Sequence, residues 1–164
     1  MVKRFVPIKT KQEKFRAIIS GKECPYCSKE TELVDSACVY HGHSYGLIYL
    51  CRECSAWVGV HKGTQESLGR LANAELRKAK NNAHLYFDPI AKTGLINQMG
   101  LPFINGISNR NKAYLWLSEQ MKIKKKFCHI GMFDIKQCQS VVSICDKLFR
   151  SLGIDTIEFI KRGK

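Results

Sequence analysis

The chain has 164 residues, with 27 Lys and Arg against 14 Asp and Glu and a formal net charge of +13 at pH 7. This cationic excess excludes an acidic solvating protein, and an apolar fraction of 45% with only four prolines excludes a disordered basic tail. The sequence contains no run of about 20 apolar residues, and its charged first residues lack the apolar block of a secretory signal. We therefore expect a globular cytoplasmic protein with one folded unit or two small ones.

Two Cys-x2-Cys pairs, Cys24 with Cys27 and Cys51 with Cys54, are the clearest motif. Each pair presents two sulfurs from one turn, and two such turns facing each other form a tetrahedral four-sulfur shell. A redox dithiol would need only one pair, beside a helix N-terminus. We predict zinc, with iron as the alternative because thiolates alone do not exclude it. Since four thiolates fill the shell, the metal is expected to be structural and to contribute folding free energy.

The residues between and after the two pairs have the composition of β-strands. Segments 32–40, 47–50 and 55–61 are rich in β-branched and aromatic residues, and a polar turn separates the first two segments. This order predicts a zinc ribbon, in which the metal lies at one end of a three-stranded antiparallel sheet. His41 and His43 are expected at the tip of the hairpin.

The other four cysteines are interpreted as small buried hydrophobic residues: Cys38, Cys128, Cys138 and Cys145. Cys138 and Cys145 are about 10 Å apart along a predicted helix, which is too far for them to share an ion unaided. The alternative is a second metal site that combines Cys128 and His129 with a distant partner.

A long helix is predicted from about Thr64 to Phe87, where Asp88 and Pro89 would end it. One side of this helix carries an apolar stripe. The opposite side carries a cationic row without a carboxylate, formed by Arg70, Asn73, Arg77, Lys80 and His84. Such a row is suited to phosphate contacts. The simpler alternative is that it is an ordinary basic face exposed to solvent.

Beyond residue 97 the sequence predicts a connector, two helices, a cationic loop and a tail. In chain order these are the connector at 97–108, a helix from Ser108 to about Met121, a lysine-rich loop at 122–126, a helix from Asp134 to Gly153, and the segment 154–164. Asp134 and Gln137 have the spacing of a capping box. The last segment is expected to be a short strand or a frayed tail.

The predicted fold class is α+β, with a zinc-ribbon-like three-stranded antiparallel sheet packed with a small α-helical subdomain. The expected organisation is a basic N-terminal segment at 1–21, a zinc ribbon at 22–63, a helical subdomain at 64–153 packed on the ribbon as one compact unit, and a basic tail at 154–164.

Longer motifs surround these features: Cys24-Pro-Tyr-Cys27, Glu32-Leu-Val-Asp-Ser-Ala37, Ser44-Tyr-Gly46, Leu68-Gly-Arg-Leu-Ala-Asn-Ala-Glu-Leu-Arg77 and Cys128-His-Ile-Gly-Met-Phe-Asp134. Over about residues 22–148 the chain resembles the zinc-finger-containing domain family of phages, prophages and bacterial mobile elements. The resemblance implies a single domain and the same four metal ligands, and it brings no established activity. Ser28 and Ser55 stand where such turns often carry glycine, which reaches positive φ without strain.

We expect a nucleic-acid-binding protein of a phage or mobile element that contacts the phosphate backbone through a basic helical face. The predicted phosphate contacts are Arg70, Arg77, Lys80, Lys124, Lys125 and Lys126. Four aromatic residues of the ribbon are candidates either for stacking on unpaired bases or for ordinary strand packing: Tyr40, Tyr45, Tyr49 and Trp57.

Two other functions are compatible with the sequence. A protein-binding adaptor would dock on a host or phage nucleic-acid machine and use the positive surface to meet an acidic partner. A metal-dependent enzyme acting on nucleic acid would need a carboxylate for the metal or a histidine base, for which His84, Asp88 and His129 are the candidates. No familiar catalytic signature links these three residues, and Asp88 is also explained as a helix boundary.

Overall fold

The structure is a computed structural model, and it describes residues 10–99 and 107–162. The chain divides into two compact units, Met1–Asn73 and Ala74–Lys164. Within residues 10–73, the first unit contains one α-helix and a three-stranded sheet, and the described part of the second unit is helical, so the predicted α+β class is confirmed. None of the helices within the described residues is both long and apolar enough to cross a bilayer.

In the first unit, helix α1 and strands β1, β2 and β3 span, in chain order, Lys11–Ile19, Glu32–Asp35, Leu47–Cys51 and Ala56–Gly59. The strands form an antiparallel sheet in the order β1-β2-β3. In its register, Tyr49 of β2 lies between Leu33 of β1 and Val58 of β3. The predicted ribbon sheet is therefore present, with the hairpin turn between β1 and β2.

A hydrophobic core cluster of the first unit is formed by buried Cys24, Tyr49, Cys51, Ala56 and Leu71. Residues on the opposite face of β2, Ile48 and Leu50, are buried as well. The backbone at Gly21 passes so close to Tyr49 that a Cβ there would lie 2.6 Å from Cδ2 of the ring, and its φ is +79°. Only glycine fits at that position. Two of the predicted metal ligands are thus part of the hydrophobic core.

The prediction of a helix that begins near Thr64 is wrong. Residues 61–73 form turns and short bridges, and Trp57 and Ala72 exchange two backbone hydrogen bonds of 3.2 and 3.0 Å. Helix α2 instead spans Ala74–Lys92. The segment before it satisfies its backbone groups on the edge of the sheet, which removes the need for a helix there.

The prediction that Asp88 and Pro89 end this helix is also wrong. Pro89 lies inside α2 and is buried, together with Ile90. Proline has no N–H and interrupts the helical hydrogen-bond pattern. The carbonyl of Pro89 accepts bonds from the backbone N–H and the hydroxyl of Thr93, at 2.9 and 2.8 Å. Burial of this turn offsets the missing hydrogen bond.

In the second unit, α2 packs against three further helices. Helices α3, α4 and α5 span Asn109–Met121, Ile135–Ser151 and Thr156–Arg162. The predicted capping box is confirmed, because Asp134 and Gln137 exchange side-chain to backbone bonds of 2.9 and 3.0 Å. Within the predicted segment 154–164, Thr156–Arg162 form a helix and not a strand or a frayed tail, and the ring centroid of Phe159 lies 5.0 Å from that of Phe149. Residues 100–106 of the predicted connector lie outside the described residues.

The cysteines outside the predicted metal site divide into two groups. Cys128, Cys138 and Cys145 are buried, as predicted. Burial raises the pKa of Cys128 to about 11 and that of Cys145 to about 12, which keeps both thiols protonated and unreactive at neutral pH. Cys38 is exposed in the hairpin turn, so its prediction as a buried residue is wrong.

Candidate metal centre and polar clusters

The four predicted ligands, Cys24, Cys27, Cys51 and Cys54, converge in the first unit. Their sulfur atoms all lie within 4.8 Å of one another, and the sulfurs of Cys27 and Cys51 are 3.7 Å apart. Adjacent sulfurs of a tetrahedral zinc shell are about 3.8 Å apart, given Zn–S bonds of about 2.3 Å. The geometry and the donor set therefore fit Zn²⁺.

Two short turns position these sulfurs. In the first turn, the backbone N–H of Cys24 donates to the carbonyl of Lys29 at 2.8 Å, and the N–H of Ser28 donates to the carbonyl of Cys24 at 2.9 Å. In the second turn, the N–H of Ser55 donates to the carbonyl of Arg52 at 3.2 Å. Both serines have positive φ, 58° at Ser28 and 46° at Ser55. The expectation that these positions favour glycine is confirmed by their backbone conformation.

The protein environment changes the acidity of the sulfurs in different directions. The backbone amide of Lys29 lowers the pKa of Cys27, whereas burial raises the pKa of Cys51 and of Cys54. A thiol with a raised pKa is protonated at neutral pH, and a coordinated dication stabilises its thiolate form. Metal binding at this site therefore releases protons and is expected to weaken as the pH falls.

Two ion pairs link the turns to each other and to the sheet, and the sequence analysis did not identify them. Lys29 of the first turn pairs with Glu53 of the second at 2.5 Å, and Arg52 pairs with Glu32 of β1 at 3.0 Å. All four side chains are more than half exposed, so each pair contributes little stability. The sequence does place charged residues next to the cysteines, with Lys29 two positions after Cys27 and Glu53 between Cys51 and Cys54. Their opposite charges could have suggested an ion pair between the two turns.

Ser28→Gly and Ser55→Gly are each expected to raise the free energy of unfolding by about 0.5–1 kcal/mol. A residue with a side chain is strained at positive φ, and glycine is not. Thermal unfolding of the zinc-loaded variants measures the change. Ser20→Gly is the control, because Ser20 has φ −76° and gains nothing from glycine. A lower melting temperature for either turn variant would contradict the prediction.

Four protein sulfurs complete the shell, so a metal ion held here organises the fold and has no open position for a substrate. Among residues 10–99 and 107–162, these cysteines are also the only group of three or more His, Cys, Asp or Glu side chains placed to hold a metal. The alternative second site at Cys128 and His129 does not form within the described residues.

The predicted cationic row does not form one helix face. Arg70 and Asn73 precede α2 and belong to the first unit, whereas Arg77, Lys80 and His84 lie on α2. The ammonium of Lys80 donates to the carbonyl of Gly131 at 2.7 Å, which gives it a structural role. Phosphate contacts at Arg70 and Arg77 stay predictions.

The remaining predicted phosphate contacts, Lys124, Lys125 and Lys126, lie between α3 and α4. All three are exposed, as is Lys122, which ends α3 in a left-handed conformation with φ 54°. Lys126 places its ammonium 4.9 Å from the centre of the Phe127 ring. No carboxylate occurs within 122–126. We refer to these five residues as the lysine loop.

Two of the three candidate catalytic residues form a polar cluster on the second unit. His84 and Asp88, one turn apart on α2, are joined by a 3.1 Å hydrogen bond, and Arg110 of α3 binds the same carboxylate oxygen at 3.2 Å. Burial alone would raise the pKa of Asp88, but the hydrogen bond from His84 and the charges of His84 and Arg110 lower it below its ordinary value. The cluster ties α2 to α3.

His129, the third candidate, contacts a different side chain. Its ring stacks on Tyr114 with 4.7 Å between centroids, and its Nδ1 accepts the backbone N–H of Gly131 at 3.2 Å. Arg110 lies over the other partner of this stack, 5.6 Å from the Tyr114 centroid. Each of the three candidates therefore has structural contacts, and a catalytic role for any of them stays a prediction. The Arg110 contact was not visible in the sequence, because it lies 22 positions from Asp88.

Asp88→Asn is expected to lower the free energy of unfolding by about 1–2 kcal/mol at pH 7, because the substitution removes the half-buried carboxylate charge that binds His84 and Arg110. Since folding lowers the pKa of Asp88, its contribution is complete above about pH 4 and is lost as the pH falls through the folded-state pKa. Urea unfolding at several pH values measures both effects. Glu119→Gln is the control: it removes one negative charge from an exposed position of α3 and should change neither the free energy of unfolding at pH 7 nor its dependence on pH. Equal behaviour of the two variants would contradict the prediction.

Comparisons with known proteins agree with this metal centre. The chain matches a family model described as a zinc-finger-containing domain over residues 20–148, which includes all four converging cysteines and the polar cluster. No curated protein and no solved structure matches the chain. Because the match covers most of the sequence, the protein belongs to the zinc-finger-containing domain family.

Proposed function

We propose that the protein binds nucleic acid through the phosphate backbone, as a component of a phage or mobile element that acts in the cytoplasm. The observation that carries this proposal is the distribution of charge between the units. Ala74–Lys164 has 16 Lys and Arg against seven Asp and Glu, a net charge of +9, and Met1–Asn73 has 11 against seven, a net charge of +4. A field of this sign and size attracts polyanions and accelerates their association.

The lysine loop concentrates this positive charge, with four lysines and no carboxylate in five residues. Its four lysines are exposed, and backbone hydrogen bonds order the segment that carries them. The N–H of Ile123 donates to the carbonyl of Ser118 at 3.0 Å, and the N–H of Phe127 donates to the carbonyl of Lys124 at 2.8 Å. Ammonium groups on a short, ordered loop can neutralise several adjacent phosphates together.

In this proposal the zinc centre has a structural role. Bound Zn²⁺ would hold Cys24, Cys27, Cys51 and Cys54 together and supply folding free energy to the first unit. Side chains of the protein make the contacts to nucleic acid, and in this proposal they bind it without catalysing a reaction on it.

The test is the salt dependence of binding by the zinc-loaded, full-length protein. Fluorescence anisotropy with labelled single-stranded and double-stranded oligonucleotides should show binding that weakens steeply between about 0.05 and 0.3 M salt, with a log–log slope of about −0.9 per phosphate contact on duplex DNA. Absence of binding to every probe at the lowest salt would refute the proposal. Recovery of a protein partner that survives nuclease digestion would then favour the adaptor alternative.

A further inference from the structure

Three aromatic residues of the first unit form a group at its surface, which we call the aromatic cluster: Tyr40 and Tyr45, which are exposed, and Trp57, which is half-buried. The ring centroids of Tyr40 and Tyr45 are 5.1 Å apart, those of Tyr40 and Trp57 are 6.1 Å apart, and both contacts are edge-to-face. The indole N–H of Trp57 donates to the Tyr40 hydroxyl at 3.3 Å. Tyr45 is 78% exposed. Because an edge-to-face contact occupies at most one ring face, Tyr45 presents an open face to solvent.

Tyr49, the fourth aromatic candidate from the sequence, does not belong to this surface. Its ring is buried in the core of the first unit, and its hydroxyl donates to the carbonyl of Gln65 at 3.1 Å. Strand packing is therefore the correct interpretation for Tyr49. The aromatic cluster is a separate feature.

The backbone around Tyr45 is anchored to the end of β1. The N–H of Tyr45 donates to the hydroxyl of buried Ser36 at 2.7 Å, and the N–H of Ser36 donates to the carbonyl of Gly46 at 2.9 Å. The hydroxyl of Ser44 donates to Asp35 at 2.7 Å. An exposed ring on such a fixed backbone loses little conformational entropy when it binds a ligand.

An open cleft of about 860 Å³ adjoins Tyr45. Its walls include Leu47, His61, Lys62 and Gln65, and none of the described residues that line it is an Asp or Glu. Three carboxylates of the ribbon have partners elsewhere, since Glu32 and Glu53 form ion pairs and Asp35 accepts hydrogen bonds from the hairpin. The cleft therefore places the Tyr45 ring beside hydrogen-bond donors and beside the positive charge of Lys62.

We propose that the aromatic cluster and this cleft bind unpaired nucleobases, so that the nucleic acid recognised by the protein is single-stranded. This inference rests on the proposed nucleic-acid-binding function. A base stacks on the open face of Tyr45, and Lys62 and His61 donate to the adjoining phosphate. Bases within a duplex are already stacked on their neighbours and do not present their faces to such a ring.

Stacking on the ribbon contributes to affinity without adding charge. Residues 22–63 contain four Lys and Arg against five Asp and Glu, so this part of the chain contributes little to the overall positive field. Loss of a stacking contact should therefore reduce the affinity by the same factor at every salt concentration. Loss of a phosphate contact instead changes the slope with salt.

The experiment compares Tyr45→Leu with Tyr45→Phe in the zinc-loaded, full-length protein. Tyr45→Leu should weaken binding of oligo(dT) and oligo(rU) of about 12 nucleotides by about 5-fold to 100-fold at every salt concentration, with an unchanged slope. Tyr45→Phe keeps the ring and should bind like the parent. Neither variant should change binding to a duplex. Oligonucleotides that contain 5-iodouracil should photocrosslink to Tyr45 or Trp57, as identified by mass spectrometry.

The outcomes separate this inference from the proposed function. If Tyr45→Leu binds single strands like the parent, while substitutions in the lysine loop weaken binding, stacking is refuted and nucleic-acid binding stands. If the parent binds no oligonucleotide, both proposals fail. If Tyr45→Leu loses a nuclease-resistant protein partner and keeps its oligonucleotide affinity, the cluster binds protein and the inference is overturned.

Discussion

Cys51→Ser is expected to abolish stoichiometric zinc binding and to unfold the first unit. Cys51 is 5% exposed and belongs both to the metal centre and to the hydrophobic core. Structural zinc sites supply roughly 10–16 kcal/mol of apparent binding free energy at pH 7, whereas a domain is stable by only about 5–15 kcal/mol. Loss of one ligand therefore removes a large part of the stability of this unit. Elemental analysis and near-UV circular dichroism measure the two effects.

Cys38→Ser provides a matched control for this prediction. Cys38 is an exposed cysteine of the same unit and lies outside the four-sulfur cluster. Its substitution should leave one zinc per chain and an unchanged thermal transition, and a strong chelator should reproduce the Cys51→Ser phenotype in the parent. The metal centre would be wrongly assigned if Cys51→Ser retained both its zinc and its melting temperature.

Replacing Lys124, Lys125 and Lys126 together with glutamine is expected to weaken nucleic-acid binding by on the order of 100-fold at about 0.1 M salt. Each lost phosphate contact releases one fewer condensed counterion and reduces the log–log slope by about 0.9 on duplex DNA. All three side chains are exposed, so the fold should be retained. Anisotropy titrations over a range of salt concentrations measure both the affinity and the slope.

A charge-matched control separates local contacts from net charge. Lys136→Gln, Lys147→Gln and Lys161→Gln remove the same total charge from exposed positions on α4 and α5. If the lysine loop contacts phosphate, the control should retain most of the affinity and the slope. Equal losses in both triple variants would show that only the long-range field matters, and no loss in either would remove the loop from the binding site.

The metal centre was predictable because most of its determinants are local. Each Cys-x2-Cys pair forms its own turn, and the strand composition between the pairs specifies a hairpin that brings the turns together. Positive φ at Ser28 and Ser55 also follows from the turn itself. The same reasoning identified the capping box at Asp134, since a cap involves only residues three positions apart.

The start of the long helix was not predictable from periodicity. Residues 64–73 carry apolar side chains at helical spacing, yet Leu71 and Ala72 are buried in the first unit and Ala72 pairs with Trp57. A hydrophobic pattern shows which side chains seek burial, but it does not show whether the backbone is satisfied within a helix or at a sheet edge. That misassignment placed Arg70 on a helix face that does not exist.

For this chain, residue order and spacing alone were sufficient to specify the class of fold, the four ligands and the cationic character, because each depends on composition or on short-range geometry. Long-range packing decided which tyrosines of the ribbon are buried and which are exposed, and it paired Asp88 with Arg110. Such choices depend on which surfaces meet after the chain has folded: Tyr49 lies on β2, which is buried on both faces, whereas Tyr40 and Tyr45 lie in the turn between β1 and β2 and stay exposed.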